Sequence, residues 1–429
     1  MSLQLDEVLA SLGIPDAREH FEPFWEESEA CFPGETLSFL TLERFLYHRE
    51  YTGLPRELDA MMDETARIVR KHPALTHFAW HCYQLLYKHI SDYDGWRIRQ
   101  WPDPIAPLGE LTGVFYILVA LNVVPETQAV HERLGIPEEI THHSLHRINE
   151  IVNRHRSLHG GRFGMSMGSL YWQRHYVEGI LYGLGRMEYM IGSFHGGLQA
   201  YRHRETGEVI ALSADGVRFR DDGYIDANPE SEAAKAGWTA RFTATDAGVT
   251  GCPISPAGRG LRCEVTLPLD TWQLALKPGD GVLDMHIPAG GGMTPERVQA
   301  SMAQALEFFP RHFPDRPFVG FGCASWILNP QLAEFYSPDS NMVLWQRELY
   351  LFPYPCGDRS GLYFVFGKDD IDPDTAPRDT SLRRAILDRI ASGGRLIVSG
   401  MFMLTEDFQR YGEQFYRSHF PPKGLAVCD

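Results

Sequence analysis

The chain has 429 residues, 44% hydrophobic and 22% charged, with 56 acidic against 40 basic side chains and a formal net charge of −16. That length exceeds one ordinary core, so two domains are expected, and the composition excludes wholesale disorder. A field this negative repels nucleic acid, whereas it suits either plain solubility or a cationic small molecule.

Seven cysteines (Cys31, Cys82, Cys252, Cys263, Cys323, Cys356 and Cys428) are widely spaced, with no C-x-x-C. Such usage predicts reduced thiols in a cytoplasmic protein. The opening MSLQLDEVLASLG has neither the basic nor the apolar segment of a secretion signal.

Residues 1–183 are predicted helical. Phe39, Leu42, Phe45 and Leu46 recur at helical spacing, as do Leu58, Met62, Ala66 and Val69. Pro55, Pro73, Pro102, Pro104 and Pro137 mark the joints. The run GVFYILVALNVV falls short of the ~20 residues that cross a bilayer, so a buried core helix and no membrane partner are expected.

Two decoys lie in this half. Gly164-Met-Ser166-Met-Gly168 matches the G-x-S-x-G of hydrolases, but the polar NRHRSLHGGRF precedes it where a nucleophile elbow needs an apolar strand. His142/His146 and His155/His159 are spaced to share helix faces. Arg147, Arg154 and Arg156 surround them and would repel a cation, so no metal is expected.

The pattern changes at Gly183. GRMEYMIGSFHGGLQAYRH is strand-like with a Gly-Gly break, and Thr206-Gly207 marks a hairpin. VLDMHI is a short strand, PAGGG a loop, Thr294 a helix N-cap and Pro295 the first helical residue, with Val298, Met302, Ala305, Leu306 and Phe309 on one face. Predicted next are strand FVGFGCASWIL, a short helix over 330–336, strands NMVLWQRELYLF and GLYFVFG, helix SLRRAILDRIA and strand RLIVSGMFML. The predicted class is α/β (α+β): a helical domain over 1–183, then a mixed-sheet domain over 184–429.

A strand, glycine loop and helix start form an anion cradle, because glycines let backbone N–H groups approach phosphate and the helix dipole adds positive charge. The loop is neither a P-loop nor a dinucleotide fingerprint. It resembles the GNAT superfamily of N-acyltransferases, in which such a unit is followed by a strand and an N-x-x-A-x-x-x-Y pattern. Asn329-Pro-Gln-Leu-Ala-Glu-Phe-Tyr336 keeps that spacing of seven. The chain is also similar to bacterial acyltransferases that pair a helical N-terminal domain with a GNAT-like one. That likeness rests on H-I-P-A-G-G from His286, S-W-I-L-N-P-Q-L from Ser325, Ser340-Asn341 before a predicted strand, and L-G-R-M-E-Y-M-I from Leu184.

The resemblance implies an acyl-CoA co-substrate, acetyl-CoA foremost, and a small-molecule amine as acceptor. It assigns Ile287, Ala289, Gly290, Gly291, Gly292, Thr294 and Asn329 to the cofactor, and Ser325 and Trp326 to the acceptor or pantetheine slot. Tyr336 becomes the acid that protonates the leaving thiolate. Asp284 and His286, two apart on one strand, point to one face and are candidates for the base. Glu188, on a neighbouring strand, is another. One departure stands out: the family loop R/Q-x-x-G-x-G/A places Ile287 at the Arg/Gln position. That departure favours the alternative, a non-catalytic ligand-binding or scaffold protein that keeps the fold.

Overall fold

A computed structural model describes residues 3–34, 36–290, 292–334, 336–368 and 370–428. The chain divides into two units: one comprises Met1–Glu188 with Ile287–Gly290, the other Tyr189–His286 with Gly291–Asp429.

The first unit is built of helices whose joints fall at the prolines. Helix Asp59–Lys71 buries Met62, Ala66 and Val69, the stripe the spacing predicts. Pro73 opens the helix Pro73–Tyr87, and His72 caps it by accepting from Leu75 N. That helix is buried nearly all round, with Leu75, Phe78, Cys82 and Leu85 fully covered. A helix covered on nearly every side sits at the centre of a core. Truncating Phe78 would cost about 3–5 kcal/mol by transfer and cavity terms together.

The apolar run forms Thr112–Ala120 and Val123–Arg133. The segment Gly109–Arg133 has the length and hydropathy to cross a bilayer, yet 67% of its apolar window is buried inside the protein. Ser166 caps helix Met167–Val177 and bonds Ser169, with coil and not a strand before it, so no nucleophile elbow forms. His142/His146 and His155/His159 stack pairwise, with ring centres 6.2 and 4.0 Å apart. Strand β1 (Tyr182–Leu184) closes the unit, where Gly183 N donates to Ser144 Oγ at 2.8 Å.

The second unit carries β2 (Met187–Ser193), which begins two residues before its boundary, then β3 (Leu198–His203) and β4 (Val209–Ser213). β3 and β4 pair antiparallel around the predicted turn, Leu198 opposite Ser213 and Arg202 opposite Val209. They belong to a second sheet. The main sheet runs β2–β5–β6–β8–β7, with β5 (Gly281–His286), β6 (Gly320–Ser325), β7 (Tyr350–Pro353) and β8 (Ser399–Leu404). The buried Tyr350 hydroxyl joins the two sheets, donating to Ile254 O at 2.5 Å and accepting from Ala211 N at 3.0 Å. Arg202 grips the buried Asp407 at 2.9 and 2.8 Å, a bidentate pair whose loss on one side leaves a buried charge.

Three expectations are corrected. Asn341–Glu348 is a helix, not a strand, since Ser340 accepts from Val343 N and the turns bury Val343, Trp345 and Gln346. Leu362–Phe366, also expected as a strand, is a short helix between Gly361 and Gly367, both at positive φ. Cys263 and Cys428 are joined in a disulfide, Cα atoms 6.1 Å apart, and are not reduced thiols. A separation of 165 residues hides that pairing from spacing arguments.

Candidate active site

β5 pairs in parallel with β6 over Val282–Gly320, Leu283–Phe321 and Asp284–Gly322. β6 then follows β8 to Ser325–Ser399. β5 continues to His286, and no register with β6 extends past Asp284 among the described residues. Strands that part leave ladder N–H and C=O groups for another partner.

A cleft of about 180 Å³ opens at the split, lined by Asp284, Met285 and His286 from β5 and by Gly322, Cys323 and Ala324 from β6. Val282, Ser193–Gly196, Phe352, Tyr354 and Met401 complete it. Gly400 lets Phe352 lie close: a Cβ there would stand 2.2 Å from the ring.

The Asp284 carboxyl is a perturbed group of the cleft. Burial pushes it up from 3.8 to about 6, against the opposing pull of His195. The side chain keeps 42% of its surface open, so water reaches one edge while the cleft walls withhold bulk solvent. His286 Nε2 lies 3.6 Å from Asp284 Oδ2, as the spacing on one strand face predicts. A carboxyl that ionises near neutral pH is suited to accept a proton. Cys323 is not a nucleophile here: burial, then the Asp284 charge, pushes its thiol well up, and only thiolates react readily.

His195 escaped the sequence reasoning, which took S-F-H-G-G only as a break between strands. The available signal was its flanking glycine. A Cβ at Gly196 would stand 2.4 Å from Phe194 and 3.0 Å from Phe352, so the backbone must pass close to that aromatic wall.

The cleft gathers Asp284 and His286 from the predicted set; Ser325, Trp326, Asn329 and Tyr336 are not among its lining residues. Ser325 Oγ accepts from Ile327 N. Trp326 packs on the cluster of Leu362, Val365, Ile386 and Leu396. Asn329, 2% exposed, commits Oδ1 to Gln331 N at 3.0 Å, while Gln346 Nε2 donates to its carbonyl at 3.2 Å. Its side-chain oxygen therefore holds a turn. Tyr336 is half-buried, and burial raises its phenol above the usual value. Glu188 belongs to the first unit, where it is buried, accepts from the Tyr176 hydroxyl, and is raised by burial first.

Ile287–Gly290 count with the first unit, where Arg186 donates to Pro288 O at 2.9 Å. Ile287 is half-buried and Ala289 exposed. Gly290 and Gly292 adopt φ +87° and +65°, which only glycine takes freely, and Gly291 lies outside the described residues. Thr294 accepts from Arg297 N, and Pro295 starts an 18-residue helix to His312 that buries Val298, Met302, Ala305 and Phe309. A helix start preceded by a left-handed glycine fits a phosphate group.

The profile of the GNAT-like C-terminal domain matches residues 181–402, more than half of the chain. The chain belongs to the GNAT-like acyltransferase family. In this acyltransferase the profile of the N-acyltransferase N-terminal domain matches residues 43–179. No curated protein matches the sequence. Among solved structures, an acyltransferase in complex with decanoyl-CoA and teicoplanin is similar at 21% identity and TM-score 0.64, covering 94% of this chain and 99% of its own. A mutant acyltransferase in complex with octanoyl-CoA is similar at 21% identity and TM-score 0.63, covering 93% and 98%. At that identity the likeness is one of fold.

Proposed function

We propose that this acyltransferase moves an acyl group from an acyl-CoA thioester to an amine of a small molecule by direct attack. The parting of β5 and β6 over a cleft that holds a poised carboxyl carries this reading. The thioester lies in the split. The amine nitrogen attacks the carbonyl carbon, and Asp284 accepts the N–H proton, with His286 and His195 beside it to steady the charge. Collapse of the tetrahedral adduct breaks the C–S bond, and the thiolate takes a proton, for which Tyr336, at the family position though outside the cleft lining, is the candidate donor. The products are an amide and free CoA. The helix start at Gly292–Thr294 takes a phosphate of the co-substrate without a side chain from Ile287.

The walls favour an aliphatic acyl chain. Phe194, Met285, Phe352 and Met401 surround the split with apolar surface. Acyl-CoAs such as those held by the similar structures, octanoyl and decanoyl, suit this lining better than acetyl-CoA.

The full chain, given acetyl- to decanoyl-CoA and a set of small amines that includes teicoplanin, tests the proposal. Release of CoA thiol that depends on the amine, with product mass raised by one acyl group, is expected. A burst of thiol without an amine, leaving an acylated protein, would contradict direct attack.

A further inference from the structure

A second cavity, of about 330 Å³, lies in the helical unit and shares no lining residue with the cleft at the split strands. Arg44 and His48 line it from one helix, Leu42–Tyr51, four residues apart and so on one face. Phe39, Trp80, Tyr83 and Glu126 line it from other segments.

The polar groups of the walls are mostly committed. Tyr83 donates to Glu126 at 2.6 Å, and Lys88 Nζ reaches both oxygens of that carboxylate at 2.7 Å. Trp80 Nε1 donates to Ser28 O at 2.8 Å. The acid in the wall is therefore neutralised within the protein, and the aromatic rings that line the cavity pack on one another, Trp80 to Tyr83 at 5.2 Å and Phe39 to Tyr83 at 5.7 Å.

Besides the hydroxyls of Thr36 and Ser38 and the amide oxygen of Asn122, two nitrogen-bearing side chains of the wall remain uncommitted among the described residues. His48 is 2% exposed, and its ring makes no hydrogen bond to a described residue, only an edge contact with Tyr47 at 5.7 Å. It is one of the cavity's lining residues. A buried polar ring without a partner in the chain takes one from water or from a ligand. Arg44 is exposed and has no ion pair or hydrogen bond with a described residue. Its planar fork matches a carboxylate. Burial, and then Arg44, hold His48 down at about 4, so near neutral pH the ring offers one N–H and one lone pair.

We propose that this cavity binds a small aromatic carboxylate, with its ring against Phe39, Trp80 and Tyr83 and its carboxylate on Arg44 and His48. The site stands apart from the acyl-transfer reaction and does not depend on it.

Calorimetric titration of the full chain with indole-3-acetate, indole-3-acetamide and inorganic phosphate tests this. Indole-3-acetate is expected to bind at one saturable site, at least tenfold more tightly than the amide, since ion-assisted hydrogen bonds separate the two. Arg44→Gln, at an exposed position where an unchanged Tm confirms folding, should weaken the acid about tenfold and leave the amide unchanged. Saturating decanoyl-CoA should not displace the acid. No binding, equal binding of acid and amide, indifference to Arg44→Gln, or displacement by decanoyl-CoA would each overturn the proposal. Phosphate binding as tightly as the acid would overturn its aromatic part.

Discussion

Asp284 and His286 stand two residues apart on β5, and Asp284 Oδ2 lies 3.6 Å from His286 Nε2 at the point where β5 leaves β6. The alternation of a strand puts both on one face, and the parting of the strands gives that face a cleft. A carboxyl held at about 6 is mostly ionised at pH 7 and protonated at pH 5.

Activity should therefore rise with pH through about 6. In kcat/KM profiles with the ionisation of the amine divided out, the wild type should show a limb at that position. Asp284→Asn should lower kcat by about 10²–10⁴-fold and abolish the limb. A limb that survives in the variant would move the base elsewhere.

The same carboxyl weighs against folding when ionised. Its folded value exceeds 3.8, so its stability contribution is greatest below 3.8 and is lost as pH rises through about 6. Full burial would make this about 3 kcal/mol, and solvent screening at the open edge reduces it to roughly 1 kcal/mol. Asp284→Asn should accordingly be more stable than wild type at pH 8 and show no gain below pH 4, as read by urea unfolding at each pH.

Tyr336→Phe separates chemistry from binding. An acid acting only on the leaving thiolate should cost about 10²-fold in kcat with little change in the dissociation constant of acyl-CoA. Equal losses in both would remove Tyr336 from that role and leave it a wall of the fold.

Asn329→Ala should behave as a structural change. The side chain holds the turn to Gln331 N, so a loss of about 1 kcal/mol is expected, with acyl-CoA affinity within twofold of wild type. A tenfold loss of affinity at unchanged Tm would restore the cofactor contact inferred from the motif.

Gly400→Ala forces its methyl into the Phe352 ring. Overpacking of this kind costs about 1–3 kcal/mol. Thermal unfolding should register it as a lower Tm, and preference should shift toward shorter acyl chains as the ring moves into the cleft.

The parts of the fold legible in the sequence are those where local chemistry and tertiary structure agree. Thr294 and Pro295 cap and open a helix in any context, and Met62, Ala66 and Val69 form a stripe that only a helix buries together. Asn341–Glu348 was obscured because Val343, Leu344 and Trp345 also suit a strand, and the deciding feature is the single cap at Ser340. Asp284 and His286 were legible because their relation is local. His195 was not, because its place beside Asp284 depends on how the chain leaves β2, and no spacing records that. Asn329 keeps a family position while its Oδ1 accepts from Gln331 N, a local turn that the motif does not record.

The most direct measurement is calorimetric titration of the full-length protein with acetyl-, octanoyl- and decanoyl-CoA, repeated on Ala324→Trp, which fills the split between β5 and β6 from a lining position. Saturable binding by the wild type, weakened at least tenfold for decanoyl-CoA by Ala324→Trp with free CoA little affected, is the predicted result. Absence of binding by any acyl-CoA, or binding indifferent to the filled cleft, would contradict the placement of the thioester between these strands.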